Sequence, residues 1–156
     1  SETEIEEKKF RVDDAVAAVK AAMSEGVVAG GGVTLVNLSD AIKTIKNDTE
    51  NAGAQLLARS LEQPFRILLE NSGLNPDEWL PLVKKAKPGQ GVDVNNPIVI
   101  VDMLKAGVVD PAMVTKQAVQ NAVSIAGTSM TMGALVVDVP EQKSSPEMSN
   151  QMGLGM

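Results

Sequence analysis

Between residues 12 and 23, apolar side chains recur three and four apart at Val12, Ala15, Val16, Val19, Ala22 and Met23, which traces one stripe along an α-helix. The spacing predicts a helix from Thr3 to Glu25. Its first turns are acidic at Glu2, Glu4, Glu6 and Glu7, where the helix dipole favours negative charge, and Gly26 ends it. After a run of glycines, Val33, Val36, Ile42 and Ile45 predict a second helix that fades at Lys46-Asn47-Asp48. A third takes Asp48 or Thr49 as its cap, carries Ala52, Leu56, Leu57 and Leu61, and stops short of Pro64, whose ring offers no N–H to the preceding turn. Pro64 then opens a separate helix over PFRILLEN that ends at Ser72-Gly73, a stop of the expected kind.

Beyond that point the pattern changes twice. NPDEW at 75–79 has a cap, a proline at the first helical position and two acids in the first turn, although Pro81 predicts a kink or a late start. The stretch PGQGVDVNNPIVIV at 88–101 places two β-branched runs, GVDV and IVIV, on either side of Asn95-Asn96-Pro97, which predicts a small β-hairpin. Asp110-Pro111 repeats the cap-plus-proline signature, and Val114, Ala118, Ala122, Val123 and Ile125 supply a buried face for a helix running to Met130. ALVVDVP at 134–140 reads as a last strand, and EQKSSPEMSNQMGLGM has too little apolar content to fold. The class is mainly α, and no repeat of fixed period is present.

Composition narrows the chemistry. A chain of 156 residues is long enough for one domain that buries roughly 70% of its unfolded surface. Phe10, Phe65 and Trp79 are its only aromatics, so the core must be built from Ala, Val, Leu, Ile and Met. The formal charge of -6 argues against nucleic acid, which is bound through Lys and Arg. No cysteine and no histidine occur, which excludes thiolate chemistry and removes the commonest metal ligand and general base. No apolar run approaches the ~20 residues of a membrane helix, and the charged start SETEIEEKKF is unlike a signal peptide. These features predict a soluble, cytoplasmic chain with no membrane partner.

Three consecutive glycines, Gly30 to Gly32, sit in EGVVAGGGVTLVN. A phosphate loop needs a strand before the glycines and a Lys followed by Ser or Thr after them. Here a helix precedes and Val33-Thr34 follows, so a tight turn between packed helices is the plainer reading. Three glycines exceed what a turn requires, however, since each costs up to about 1 kcal/mol relative to Ala in a helix. Close approach of another group therefore stays open. Asp13 and Asp14 are ~100° apart around their helix and cannot act as a dyad. Either they form a solvated face with Lys9, Arg11 or Lys20, or one of them serves as a lone carboxylate that orients a water or accepts its proton. Asp110 can be a helix cap and Asp93 a hairpin-turn residue.

Taken together, KKFRVDDAVAAVKAAMSEGVVAGGGVTLVN, GLNP, GQGVDV, AGVVDPAMVTKQAVQNAVSIAG and ALVVDVPE resemble, in order and spacing over residues 1–140, the C-terminal part of group I chaperonins of the bacterial GroEL type. The resemblance implies an ATP-hydrolysing protein-folding machine built from seven-membered rings. Residues 1–25 would be the last intermediate-domain helix, 26–140 a helical half of the equatorial ATPase domain with a small β-hairpin and a C-terminal strand, and 141–156 a disordered Gly/Met tail. The cofactor would be ATP or ADP with Mg²⁺. Its Mg²⁺ ligand and Gly-Asp-Gly-Thr phosphate loop would lie in an absent N-terminal half. The partners would be other ring subunits, with a co-chaperonin and unfolded clients met through absent domains.

Residue by residue, the resemblance makes Asp14 of RVDDA the aspartate that activates the attacking water, and puts Gly31 against the nucleotide. Asp110 of VVDP would face the ribose or adenosine end. Asp93, Val94 and Asn95 would form the base-side wall, although Val92 stands where the family usually has tyrosine. The resemblance thus implies an ATP site that this chain alone does not complete. A rival reading is a standalone helical interaction module that docks a partner through the stripe on residues 12–23, without nucleotide chemistry.

Overall fold

The computed structural model describes residues 1–42 and 48–138. In chain order the elements are α1 (Glu2–Glu25), β1 (Val27–Ala29), α2 (Val33–Ile42), α3 (Asp48–Leu61), α4 (Gln63–Asn71), α5 (Pro76–Lys85), β2 (Gln90–Val92), β3 (Ile100–Asp102), β4 (Val109–Pro111) and α6 (Ala112–Met130). The fold is mainly α with two small antiparallel ladders, β1–β4 and β2–β3. The fading of the second helix across 43–47 and the 141–156 tail lie outside the described residues. No helix among the described residues is long and apolar enough to cross a membrane.

Local sequence chemistry accounts for most boundaries. α1 starts at a capping box in which the Ser1 hydroxyl accepts from the Glu4 amide and the Glu4 carboxylate reaches back to the Ser1 amine, satisfying donors the first turn leaves open. It closes at Gly26, whose φ of 83° falls in the left-handed region that side chains resist. Pro64 takes the second position of α4, separated from α3 by Glu62 alone. α5 starts where the NPDEW signature requires, with the Asn75 side chain accepting from the Asp77 amide at 3.0 Å. Of the kink or late start predicted from Pro81, the late start does not occur. Pro81 is the sixth residue of the helix and forfeits only the bond to the Asp77 carbonyl, and the helix continues to Lys85.

The core joins Val33 and Val36 of α2, Phe65 and Leu69 of α4, and Leu80 and Val83 of α5 to Val92 and Met103 from the hairpin region. Phe65 is its central aromatic, whereas Phe10 is exposed. Beneath it, Glu62 is buried beside the fully buried Ser39, whose hydroxyl donates to it at 3.2 Å. Lys84 also donates to the Glu62 carboxylate, so α2, the α3–α4 junction and α5 meet at one paired charge. Burying that carboxylate would be costly without these partners.

The valines of the α1 stripe, Val12, Val16 and Val19, are exposed, and Ala21 is buried, with Ala18 and Ala22 partly covered, because α1 lies on α6 and β4 through its small side chains. Two sequence expectations about packing are corrected. α6 has no buried residue, so the face given to Val114, Ala118, Ala122, Val123 and Ile125 is open, part of it lining a cleft opposite α3. The described part of the predicted last strand, residues 134–138, pairs with no other strand. A strand needs a neighbour for its backbone groups, and Leu135, Val136 and Val137 remain exposed.

Candidate functional site

The glycine run is placed by a strand pair that periodicity did not reveal. β1 pairs antiparallel with β4 in the register Val27↔Pro111, Val28↔Asp110 and Ala29↔Val109. The Gly30 amide prolongs the ladder by donating to the Val108 carbonyl at 3.0 Å, and the Ala112 amide closes its other end on the Gly26 carbonyl at 3.0 Å. EGVVAGGG and VVDP, about 80 residues apart in sequence, therefore lie side by side. Their separation explains why each three-residue strand escaped a local reading.

The glycines follow a strand after all, so the order is strand, glycine turn, helix. This corrects the expectation of a simple helix-to-helix turn, although the lysine of a phosphate loop is still missing. Gly31 and Gly32 have φ of 66° and 76°, which a side chain strains to adopt. Close approach also constrains two of the three. A Cβ on Gly30 would lie 3.0 Å from the Val109 nitrogen, and one on Gly32 3.0 Å from the Phe65 backbone. At Gly31 the nearest atom would be Met103 Cε, the end of an unbranched side chain, at 3.1 Å. The Thr34 hydroxyl spans the turn by donating to the Ala29 carbonyl at 2.8 Å. The first amides of α2 thus sit behind Gly31, and a helix start of this kind favours negative charge.

Asp110 proves not to be the cap of α6. Pro111 holds that position without a side-chain bond, because α6 begins at Ala112, one residue later than the cap-plus-proline signature implies. Its half-buried carboxylate has no hydrogen-bond or ion-pair partner among the described residues, and desolvation by burial raises its pKa above the ordinary aspartate value. It is a spare acceptor beside the glycine turn.

The hairpin forms as expected, with Gly91 opposite Val101 and Val92 opposite Ile100. Gly91 is buried, and a Cβ there would overlap Val33 Cγ2, so the hairpin rests directly on the start of α2. Asp93 fills its turn role: its carboxylate accepts from the Asn95 amide at 3.0 Å and its carbonyl from the Asn96 amide at 3.0 Å. Val94 packs against the core and Asn95 is exposed.

Asp14 stands apart. It is exposed on α1, about three turns before Gly26, and forms no ion pair or hydrogen bond among the described residues, so the solvated pairing with Lys9, Arg11 or Lys20 is not present. The structure brings together Gly31, Asp110 and the hairpin and leaves Asp14 outside that group. No cluster of three or more metal-ligating side chains occurs among the described residues, so they do not by themselves make a Mg²⁺ site.

Sequence reasoning missed the Glu62–Lys84–Ser39 group and Met103. The one signal for Glu62 was its place at a helix junction before Gln63-Pro64; Met103 gave none.

Comparison with known proteins sets these features in context. The model of the TCP-1/cpn60 chaperonin family matches residues 1–140. The crystal structure of a group III chaperonin in the open state resembles this fold with a TM-score of 0.68 and 31% sequence identity, over 74% of this chain and 25% of that one. The chain thus spans about a quarter of the length of that chaperonin.

Proposed function

Because this chain belongs to the TCP-1/cpn60 chaperonin family, we propose that it supplies part of the ATP site and ring contacts of an ATP-dependent chaperone of the group I type. The observation that carries the reading is the β1–β4 ladder, which sets Asp110 opposite Val28, two residues before the glycine run. In this proposal α1 is the last intermediate-domain helix and residues 26–140 are the C-terminal half of the equatorial domain. Gly31 presents bare backbone to the nucleotide, and Asp110 accepts from its ribose hydroxyls. Residues 93–95 flank the base. Asp14 orients the attacking water and takes its proton, which requires α1 to carry it to the glycine turn. Bound ATP supplies the phosphoanhydride whose hydrolysis drives protein folding, and Mg²⁺ and a phosphate loop come from outside these residues. Heptameric assembly, a cytoplasmic location and contact with a co-chaperonin and unfolded clients belong to the same proposal.

The test has two parts. The isolated chain should show no Mg-dependent ATP turnover. In a chaperonin subunit that carries these residues, Asp14→Ala should leave ATP affinity nearly unchanged and cut hydrolysis by about 100-fold or more. Equal loss of binding and hydrolysis would sink the role given to Asp14. A second reading, a helical interaction module without nucleotide chemistry, draws on the exposed Val12, Val16 and Val19. Binding to a partner that Val16→Lys abolishes, with no nucleotide response, would favour it.

A further inference from the structure

Met103 is fully buried and touches both glycine segments of the proposed site. A Cβ on Gly31 would lie 3.1 Å from its Cε, and one on Gly91 3.2 Å from its Sδ and 3.3 Å from its Cγ. Its thioether therefore fills the space between the glycine turn and the hairpin. The Met103 backbone repeats the connection. Its N–H donates to the Gly89 carbonyl at 3.0 Å, just ahead of β2, and its carbonyl accepts from the Val108 amide at 2.9 Å. The Val108 carbonyl in turn accepts from the Gly30 amide at 3.0 Å. One continuous path runs from the hairpin through Met103 and Val108 into the glycine turn, two residues short of Asp110.

The composition of this contact matters. Both walls present glycine, so neither has a side chain of its own to meet the other, and Val33 already occupies the space above Gly91. An unbranched, polarisable side chain can follow small shifts of either surface without losing contact. A displacement of one wall must then move Met103, because a close-packed contact transmits strain.

We propose that Met103 is a positioning residue that holds the glycine turn and the hairpin in a single register, so that a ligand settling on one wall orders the other. The functional meaning of this bridge rests on the nucleotide reading; the bridge itself does not.

Amide hydrogen exchange by NMR on the full chain tests it. In Met103→Ala, the amides of residue 103 and of Gly30 should both exchange faster by about tenfold or more, beyond any change at Leu69 in α4. Met103→Leu, which nearly conserves volume, should restore most of that protection at both places. Val101→Ala, which weakens the same hairpin without touching the glycine turn, should free the residue 103 amide and leave Gly30 protected. Loosening confined to residue 103 in Met103→Ala would overturn the proposal. So would acceleration at Leu69 equal to that at Gly30, because it would report only global destabilisation. Adding millimolar Mg·ADP to a chaperonin subunit that carries these residues separates the two claims. Linked shifts at Gly31 and Asp93 that become unlinked in Met103→Ala support both, whereas no shift in the unaltered subunit removes the nucleotide reading and leaves the paired exchange result to decide the bridge.

Discussion

Gly30 and Gly32 are glycine for the protein's own sake, since a side chain at either would press on the backbone of Val109 or Phe65. Gly31 differs, because the closest atom to a side chain there would be the flexible end of Met103 and not backbone. The triplet was legible as a place of close approach, but which glycine meets what depends on β4 and α4, far along the chain. Asp110 was legible as a carboxylate at a boundary and misread as a cap, because the ladder that occupies its backbone is nonlocal. Its raised pKa has a definite consequence. Burial disfavours the charged form in the folded state, so the stability Asp110 contributes is full below the ordinary aspartate value and is lost as pH rises through the raised folded pKa. Asp110→Asn should therefore gain stability relative to the unaltered chain as pH rises from about 3 to about 7, measured by urea unfolding at each pH. A gap that stays constant or narrows with pH would show that the carboxylate is not desolvated in solution.

At the scale of elements, local chemistry predicted the helices well. The caps at Ser72-Gly73 and Asn75, the break before Pro64 and the end at Met130 depend on residues adjacent to each boundary, and the hairpin on its Asn95-Asn96-Pro97 turn. What could not be read was which face of α1 and α6 packs, since periodicity marks a stripe without saying what covers it. Alanines make the α1 contact, and apolar burial there is correspondingly small. An ion pair supplements it: Lys116 Nζ of α6 reaches both oxygens of Glu25 at 2.7 and 2.6 Å, across the point where Gly26 ends α1. Both partners are substantially exposed, so Lys116→Ala should lower global stability by less than about 1 kcal/mol. The last turn of α1 should nonetheless lose protection against hydrogen exchange while α4 and α5 keep theirs. A uniform loss would mean that α1 is held by packing and not by this pair. If α1 must move to deliver Asp14, the pair sits where such motion would be resisted.

For the molecule as a whole, the packed core is centred on α2, α4, α5 and the hairpin region, while α3 and α6 face one another across an apolar cleft of about 610 Å³. Leu56, Leu57, Val119 and Val123 line it together with alanines, and Leu56 and Val123 are more than half exposed. A sequence read for helices assigns these side chains to a core, because a stripe awaiting cover looks the same as a stripe already covered. The order of motifs over residues 1–140 identified the family, yet it could not show that this cleft stays open in the chain alone. Contiguous apolar surface of this kind drives association, and a net charge of -6 spread over the chain opposes it only weakly at physiological salt. The isolated chain should accordingly bind an environment-sensitive apolar dye and gain mass with concentration in light scattering. Replacing both Leu56 and Val123 with lysine should diminish dye binding and association together while leaving helical circular dichroism intact, because neither residue belongs to the core cluster. If association persists in that variant, the exposed valines of α1 become the surface responsible, and Val12→Lys with Val16→Lys should then abolish it. Were neither pair to matter, association would have to arise outside both helical faces.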